Sequence, residues 1–347
     1  MNRESTGIIL NVGIVGLGPH GRRMLQIVLA NKRFNLVGVA DQNPKAFADL
    51  RLNGAAVYAD AAVLLKMHAV DLWIVTTNGP SHFPLAKAAM ESGVKRILVS
   101  KPLACTLHEA REMVALSKHH GVRLAVDHGL RHDQSYNWLR SKIRSGEWGI
   151  LKSVYVMRNG IGLGCLGVHS FDLINSLTEA RVREVTGWVD APVGVNPRGS
   201  GFCDPGGLVI LTYENGVRGI VSQIEEGAGP MSVEINLTGA RIRVNEKFRE
   251  MEVIRRNGSH GFKAGSPAAY EKVELPSSLS VRHDTVELME RVLEDLAGDA
   301  ALKCDAILGE HSVEILVAAH LSSERNHSPV ALPLEGEEAL HRFLPVT

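Results

Sequence analysis

Through its first third the chain alternates short, continuous apolar runs with segments whose apolar residues recur every three or four positions. Continuous short runs bounded by turn residues suit strands buried on both faces, and the 3.6 period suits helices with one buried stripe. Strands are predicted at 11–15, 35–40, 71–76, 95–99 and 122–126, and helices at 20–31, 44–52, 60–67, 81–92 and 106–120. In the last of these Leu107, Ala110, Met113, Val114 and Ser117 keep the helical period. Such alternation builds a parallel sheet with crossover helices. Beyond residue 127 the pattern changes. A helix is predicted over Tyr136–Ser145 and a strand from Gly149 to Arg158, and a glycine-rich stretch then leads into a helix at Leu166, His169, Leu173 and Ile174. Leu208–Tyr213 and Val217–Gln223 flank Glu214-Asn215-Gly216 as a hairpin with an Asn-Gly turn. Ser232–Thr238 and Arg241–Asn245 pair across Gly239-Ala240, and Phe248–Arg255 continues the sheet. Asn257–Pro267, rich in Gly and Ser, reads as a mobile loop, and late helices are predicted at 283–296 and 306–323.

Bulk properties narrow this picture. With 347 residues, of which 45% are hydrophobic, the chain exceeds a usual single core and two domains are expected. Lys+Arg and Asp+Glu both number 38, which gives no argument for nucleic acid or an anionic membrane as partner. Cys105, Cys165, Cys203 and Cys304 form no C-x-x-C pair, so neither a disulfide framework nor a metal site is expected, and a reducing compartment fits. Met1–Thr6 lacks an apolar signal core and no run reaches membrane-spanning length. The expected location is the cytoplasm.

The chemistry starts at residues 11–24, where a strand-like run meets Gly16-Leu17-Gly18-Pro19-His20-Gly21 and then a helical segment. In the order strand, tight turn, helix N-terminus, G-x-G-x-x-G is the dinucleotide fingerprint. Gly16 makes the turn, Gly18 lets backbone approach a pyrophosphate, and Gly21 lets the helix sit close on the strand. Pro19 and His20 complete the phosphate-facing turn. Asp41, ending the strand 35–40, can accept the adenosine ribose hydroxyls, and no arginine follows it to hold a 2′-phosphate. NAD is therefore expected over NADP. Ligands of such sheets bind beyond the carboxyl ends of the strands, which singles out Asp41, Thr76, Thr77, Asn78, Ser100, Lys101 and Asp127–Arg131. Ser81 is a candidate helix N-cap, and His82 follows it. Lys101 closes a buried strand beside Pro102 and can donate to a substrate oxygen. His169 has the side chain suited to removing an alcohol proton near neutral pH, and Asp172 shares its helical face. The fold class is α/β: an N-terminal Rossmann doubly wound parallel sheet over 1–127, then a C-terminal α+β domain over 128–347 with a large, mainly antiparallel open sheet.

The order of the glycine fingerprint, Asp41, Thr76-Thr77-Asn78-Gly79-Pro80-Ser81-His82 and Lys101-Pro102-Leu103-Ala104 resembles the glucose–fructose oxidoreductase, inositol dehydrogenase and MocA family over nearly the whole chain. The resemblance implies an NAD(P)-dependent dehydrogenase or reductase acting on a CH–OH group of a sugar, sugar derivative or cyclitol. It implies Lys101 at the nicotinamide and the reacting hydroxyl, a cis Lys101–Pro102 bond, and His169 as acid–base. Arg131, Asn159, Cys165 and Asp172 are the substrate-side candidates. Two positions depart from the family: Ser100 stands where a glutamate is usual, and Cys165 where an aspartate is usual. These departures leave open a cofactor-binding sensor or partner subunit with weak or no turnover. Val233, Ile235 and Leu237 alternate with polar residues, so the open sheet is expected to meet a second copy in a homodimer or homotetramer.

Overall fold

The computed structural model describes residues 8–247, 249–256, 270–279, 281 and 284–346. Met1–Thr6, Phe248, the expected loop Asn257–Pro267 and His283 lie outside the described residues. The chain divides into two units. The first holds residues up to Gly129 together with Thr285–Val313, and the second holds Leu130–Asp284 and Glu314–Val346.

In the first unit β1 (Leu10–Val15), β2 (Phe34–Ala40), β3 (Ala56–Tyr58), β4 (Leu72–Val75), β5 (Arg96–Val99) and β6 (Arg123–Val126) form one parallel sheet in the order β3-β2-β1-β4-β5-β6. The order reverses between β1 and β4, the topological switch point where doubly wound sheets take their ligand. The crossovers carry α1 (Pro19–Ala30), α2 (Ala61–Met67), α3 (His82–Glu91) and α4 (Leu107–His120). Val12, Ile14, Leu72, Ile74 and Leu98 are wholly shielded from water, as strands covered on both faces must be. Thr106 caps α4 by accepting from the Glu109 N–H, and Gly121 ends it in the left-handed region.

Three sequence expectations are corrected here. The helix expected at 44–52 is a single 3-10 turn, Pro44–Phe47, because the Asn43 side chain accepts from the Lys45 N–H and no amphipathic stripe follows. The edge strand β3 was not expected; at three half-exposed residues it carries no periodic signal. The simple cut between 127 and 128 gives way to a discontinuous unit. Met289, Val292, Leu293 and Leu296 of the helix Thr285–Ala297 are buried in the same core as Met24, Leu25 and Val28 of α1. Arg123 at the start of β6 ties this helix down by donating to the carbonyls of Asp295 and Ala300.

The second unit begins with α5 (Gln134–Ser145), capped by Asp133, followed by β7 (Leu151–Asn159) and α6 (Val168–Thr178). Then come β8 (Val182–Val189), β9 (Gly207–Tyr213), β10 (Arg218–Ile224), β11 (Ser232–Leu237), β12 (Ala240–Asn245), β13 (Glu250–Arg256), β14 (Tyr270–Lys272) and β15 (Val330–Ala331). The nine strands run β14-β13-β12-β11-β7-β10-β9-β8-β15, with β7–β10 the parallel pair and the other pairs antiparallel. In the β9–β10 hairpin the Tyr213 N–H donates to Val217 O and the Gly216 N–H to Tyr213 O, while Gly216 alone of the turn has positive φ. This is a type I turn with a glycine bulge. Helix α6 packs on β7 and β10, and Val154, Val156, Val233 and Ile235 are buried. The opposite face carries Tyr155 and Met157, 42% and 52% exposed. Val233, Ile235 and Leu237 therefore belong to the core, and the face left for a partner is the other one.

Candidate functional site

The nucleotide end is built from the turn between β1 and α1. Gly16 has φ +88°, and a Cβ there would lie 2.7 Å from the Thr77 nitrogen. A Cβ at Gly21 would lie 1.9 Å from the Gly16 oxygen, so the helix can approach the strand this closely only without a side chain. At Gly18 no atom lies within 4 Å of where a Cβ would stand, which leaves the backbone open to a phosphate. Helix α1 carries no acidic residue in its first turn and no side chain caps it. Its first N–H groups are thus uncapped by any acid of the helix's own first turn.

Asp41, at the carboxyl end of β2, accepts from the Leu17 N–H (2.7 Å) and the Asn43 N–H (2.8 Å), one bond to each oxygen. A carboxylate has about four acceptor positions, so it keeps capacity for a ribose diol while holding the glycine turn in shape. The Ser100 hydroxyl, at the carboxyl end of β5, is shielded from water and makes no hydrogen bond among the described residues. An open backbone cradle, an acid with spare acceptors and an unsatisfied buried hydroxyl on one sheet edge fit a dinucleotide.

Other predicted cofactor residues make hydrogen bonds within the protein. The Thr76 hydroxyl lies within hydrogen-bond reach of Val15 O and Gly16 O (3.0 and 2.7 Å) and buttresses the turn. Ser81 precedes α3 as expected, but its side chain does not cap; it donates to Thr77 Oγ1 (2.8 Å) and Asn78 O (2.9 Å). His82 is fully buried, with Nδ1 2.8 Å from Pro102 O and Nε2 3.0 Å from Thr77 O. It ties the loop after β4 to the loop after β5, where Lys101–Pro102 is cis. Lys101 is partly buried at that edge.

His20 and Asp127 meet at this edge, which sequence reasoning missed as a pair although Asp127 follows a strand. His20 Nε2 lies 3.0 Å from Asp127 Oδ2. Burial alone would raise the Asp127 carboxyl, but His20, His128 and Lys101 outweigh it and hold the group below its ordinary range.

In the second unit the glycine-rich stretch is a π-helical turn, Gly162–Gly167, running into α6. Asp204 fastens it: its two oxygens accept from the Gly164 and Cys165 N–H groups, each at 2.7 Å. A Cβ at Gly162 would lie 2.1 Å from the Asp204 carboxyl carbon. This capping role of Asp204 carries no signal in the sequence, because the charge sits 39 residues beyond the Cys165 backbone it caps. Cys165 and His169 lie partly buried on this turn and the first turn of α6. Arg131 and Asp172, both expected to face substrate, are committed to one another. Arg131 Nε lies 2.9 Å from both Asp172 oxygens and Nη2 2.8 Å from one, with side-chain exposures of 14% and 2%. Asn159 likewise turns to the protein, donating to Gly229 O at 2.5 Å. Among the described residues no group of three or more His, Cys, Asp and Glu is placed to hold a metal ion, and no helix is long and apolar enough to cross a membrane.

Comparison with known proteins agrees with this construction. Residues 10–128 match the family model described as an oxidoreductase family with an NAD-binding Rossmann fold. The chain is similar to this family over that segment of its first unit. It is similar to inositol 2-dehydrogenase of Serratia proteamaculans, 36% identical over 148 residues, covering 40% of this chain and 43% of that protein. It is also similar to 1-carboxy-3-chloro-3,4-dihydroxycyclohexa-1,5-diene dehydrogenase of Comamonas testosteroni, 27% identical over 200 residues, covering 52% of this chain and 50% of that one. The chain thus spans half or less of the length of these two relatives. The likeness in fold extends further: the structure of GenD2 from gentamicin A biosynthesis in complex with NAD superposes with a TM-score of 0.76 at 22% identity, covering 94% of this chain and 97% of that one.

Proposed function

We propose that this chain is an NAD-dependent oxidoreductase, with NADP the less favoured cofactor, that acts on a carbinol or carbonyl carbon of a sugar, sugar derivative or cyclitol. The observation that carries the reading is the nucleotide edge itself: the Gly16–Gly21 turn, Asp41, and the Ser100–Lys101 corner stand at the carboxyl ends of β1, β2 and β5 of one parallel sheet. NAD, when bound, supplies the hydride acceptor for oxidation and, reduced, the donor for reduction. The Gly18 backbone and the first turn of α1 hold the phosphates, Asp41 the adenosine ribose, and Ser100 offers its hydroxyl to the nicotinamide half. Lys101 donates to the reacting oxygen and stabilises its alkoxide character. His169 takes the hydroxyl proton in oxidation and returns it in reduction.

The names of the similar proteins support a polyhydroxylated ring or sugar as substrate. Asp204 supports a site in working order despite Cys165, because it fixes the turn that carries Cys165. Tyr155 and Met157 on the uncovered sheet face support assembly into a homodimer or homotetramer, and cysteines scattered along the sequence without a C-x-x-C pair support a cytoplasmic address.

The test is a panel of sugars, sugar acids and cyclitols followed by NADH absorbance. One or more should turn over, and Lys101→Met and His169→Ala should each lower kcat/KM by about a hundredfold or more. Activity that survives both substitutions within a few fold rejects these roles.

A further inference from the structure

The first turn of α1 holds one side chain that the fingerprint does not require, His20, and the structure pairs it with Asp127 from the far end of the same sheet edge. Two features set this pair apart from an ordinary ion pair. Asp127 is buried, whereas the His20 ring is 30% exposed, so a single member can exchange protons with water. In addition, His20 Nε2 is shielded from water and lies 3.0 Å from Asp127 Oδ2, so the ring's other nitrogen, Nδ1, points away from the acid. The ring stands on the turn whose N–H groups receive a pyrophosphate.

The charge balance follows. With His20 neutral, the pair carries a net negative charge beside the phosphate seat. With His20 protonated, the pair is neutral and Nδ1–H is a further donor at the positive end of α1. We propose that the His20–Asp127 pair is a proton-coupled positioning element for the dinucleotide, in which binding of the pyrophosphate and protonation of His20 favour one another. It rests on the dinucleotide seat and not on the roles assigned to Lys101 and His169.

The surroundings leave His20 as the group that changes. Asp127 stays ionised through neutral pH, and the charges that act on it besides His20 are His128 and Lys101, from the segments after β6 and β5. Of the elements packed on α1, β1 and β2 carry no titratable side chain. The helix Thr285–Ala297 presents buried apolar residues to the shared core, and its Glu287 and Arg291 bond each other. Its remaining acids are Glu290 and Glu294, and Asp295, which accepts from the Lys303 N–H. On α1 itself, Arg22 donates to the Ala46 carbonyl, and Arg23 is exposed.

Linkage makes the proposal measurable without turnover. The full-length chain is titrated calorimetrically with NAD, with no sugar present, from pH 5.5 to 8.5 and in buffers of differing ionisation enthalpy. Affinity should fall by roughly five- to tenfold as pH rises across this range, and binding near neutrality should take up a fraction of a proton. His20→Gln should abolish both effects, and Asp127→Asn should move the affinity change to lower pH. Adenosine, which lacks phosphate, should bind without proton uptake. If a variant does not fold, the comparison of NAD with adenosine on the unaltered chain decides. Equal proton uptake for both ligands, no uptake with NAD, or an unchanged pH slope in His20→Gln each overturns the proposal. Absence of NAD binding overturns the proposed function as well, whereas a failed proton linkage with NAD still bound leaves that function standing.

Discussion

Gly21→Ala should cost about 3 kcal/mol of stability and remove NAD binding, even though alanine is the better helix former. By propensity alone the change would gain about 1 kcal/mol inside a helix. The new Cβ, however, would stand 1.9 Å from the Gly16 oxygen and 2.8 Å from Thr76 Oγ1, and the first of these is backbone fixed by β1 and its neighbours. Relief requires α1 to move off the sheet, with cost typical of severe overpacking, about 3 kcal/mol. Gly18→Ala is the control. Its Cβ meets nothing within 4 Å and its φ of −64° suits any residue, so the fold should hold. The added methyl nevertheless occupies the space a phosphate must enter, and NAD affinity should fall at least tenfold. Denaturant unfolding followed alongside NAD titration separates the two outcomes. Equal stability of the two variants would refute this account of the turn.

Asp172→Ala should be the most damaging single change in the second unit, at about 3–5 kcal/mol. Removal of the carboxylate strands the Arg131 guanidinium, itself only 14% exposed, without its partner. Arg140 adds to the penalty. Burial lowers its guanidinium below the ordinary value, the nearby Arg131 charge lowers it further, and Asp172 is the first of the charges that oppose this. The cost is therefore that of a buried cation deprived of its carboxylate beside a second cation. The paired replacement Arg131→Met with Asp172→Leu should recover most of the loss, since apolar groups of similar volume remove the charge along with its partner. Thermal unfolding of the single and double variants provides the measurement. A double variant no more stable than Asp172→Ala would show that the pair contributes through something other than charge.

What could be read in the sequence was what is local. Buried parallel strands are continuous apolar runs, so β1, β2, β4, β5 and β6 fall within a residue or two of expectation. The glycine turn and Asp41 declare themselves because their spacing is short and each glycine answers a steric demand. Pairings across long separations were not legible. Thr76 looked like a ligand residue, yet its hydroxyl serves a turn 60 residues earlier. Arg131 and Asp172, 41 residues apart, each looked free to bind substrate until the fold brought them together. The alternation of Val233, Ile235 and Leu237 showed that one sheet face is apolar but not which face the helices cover. The amphipathic pattern of Thr285–Ala297 likewise announced a helix with one buried side, while its host core lay more than 250 positions upstream.

That last arrangement bears on how the protein is made. A chain emerging from the ribosome N-terminus first completes all six strands of the nucleotide sheet long before residues 285–297 exist. Until they are synthesised, Met24, Leu25 and Val28 have no cover from that helix, and all of the open second sheet except β15 is produced in the interval. A gene fragment ending near residue 129 should accordingly yield a sticky, chaperone-dependent product, and a biosensor cut from this protein must splice the late helix back onto the early half.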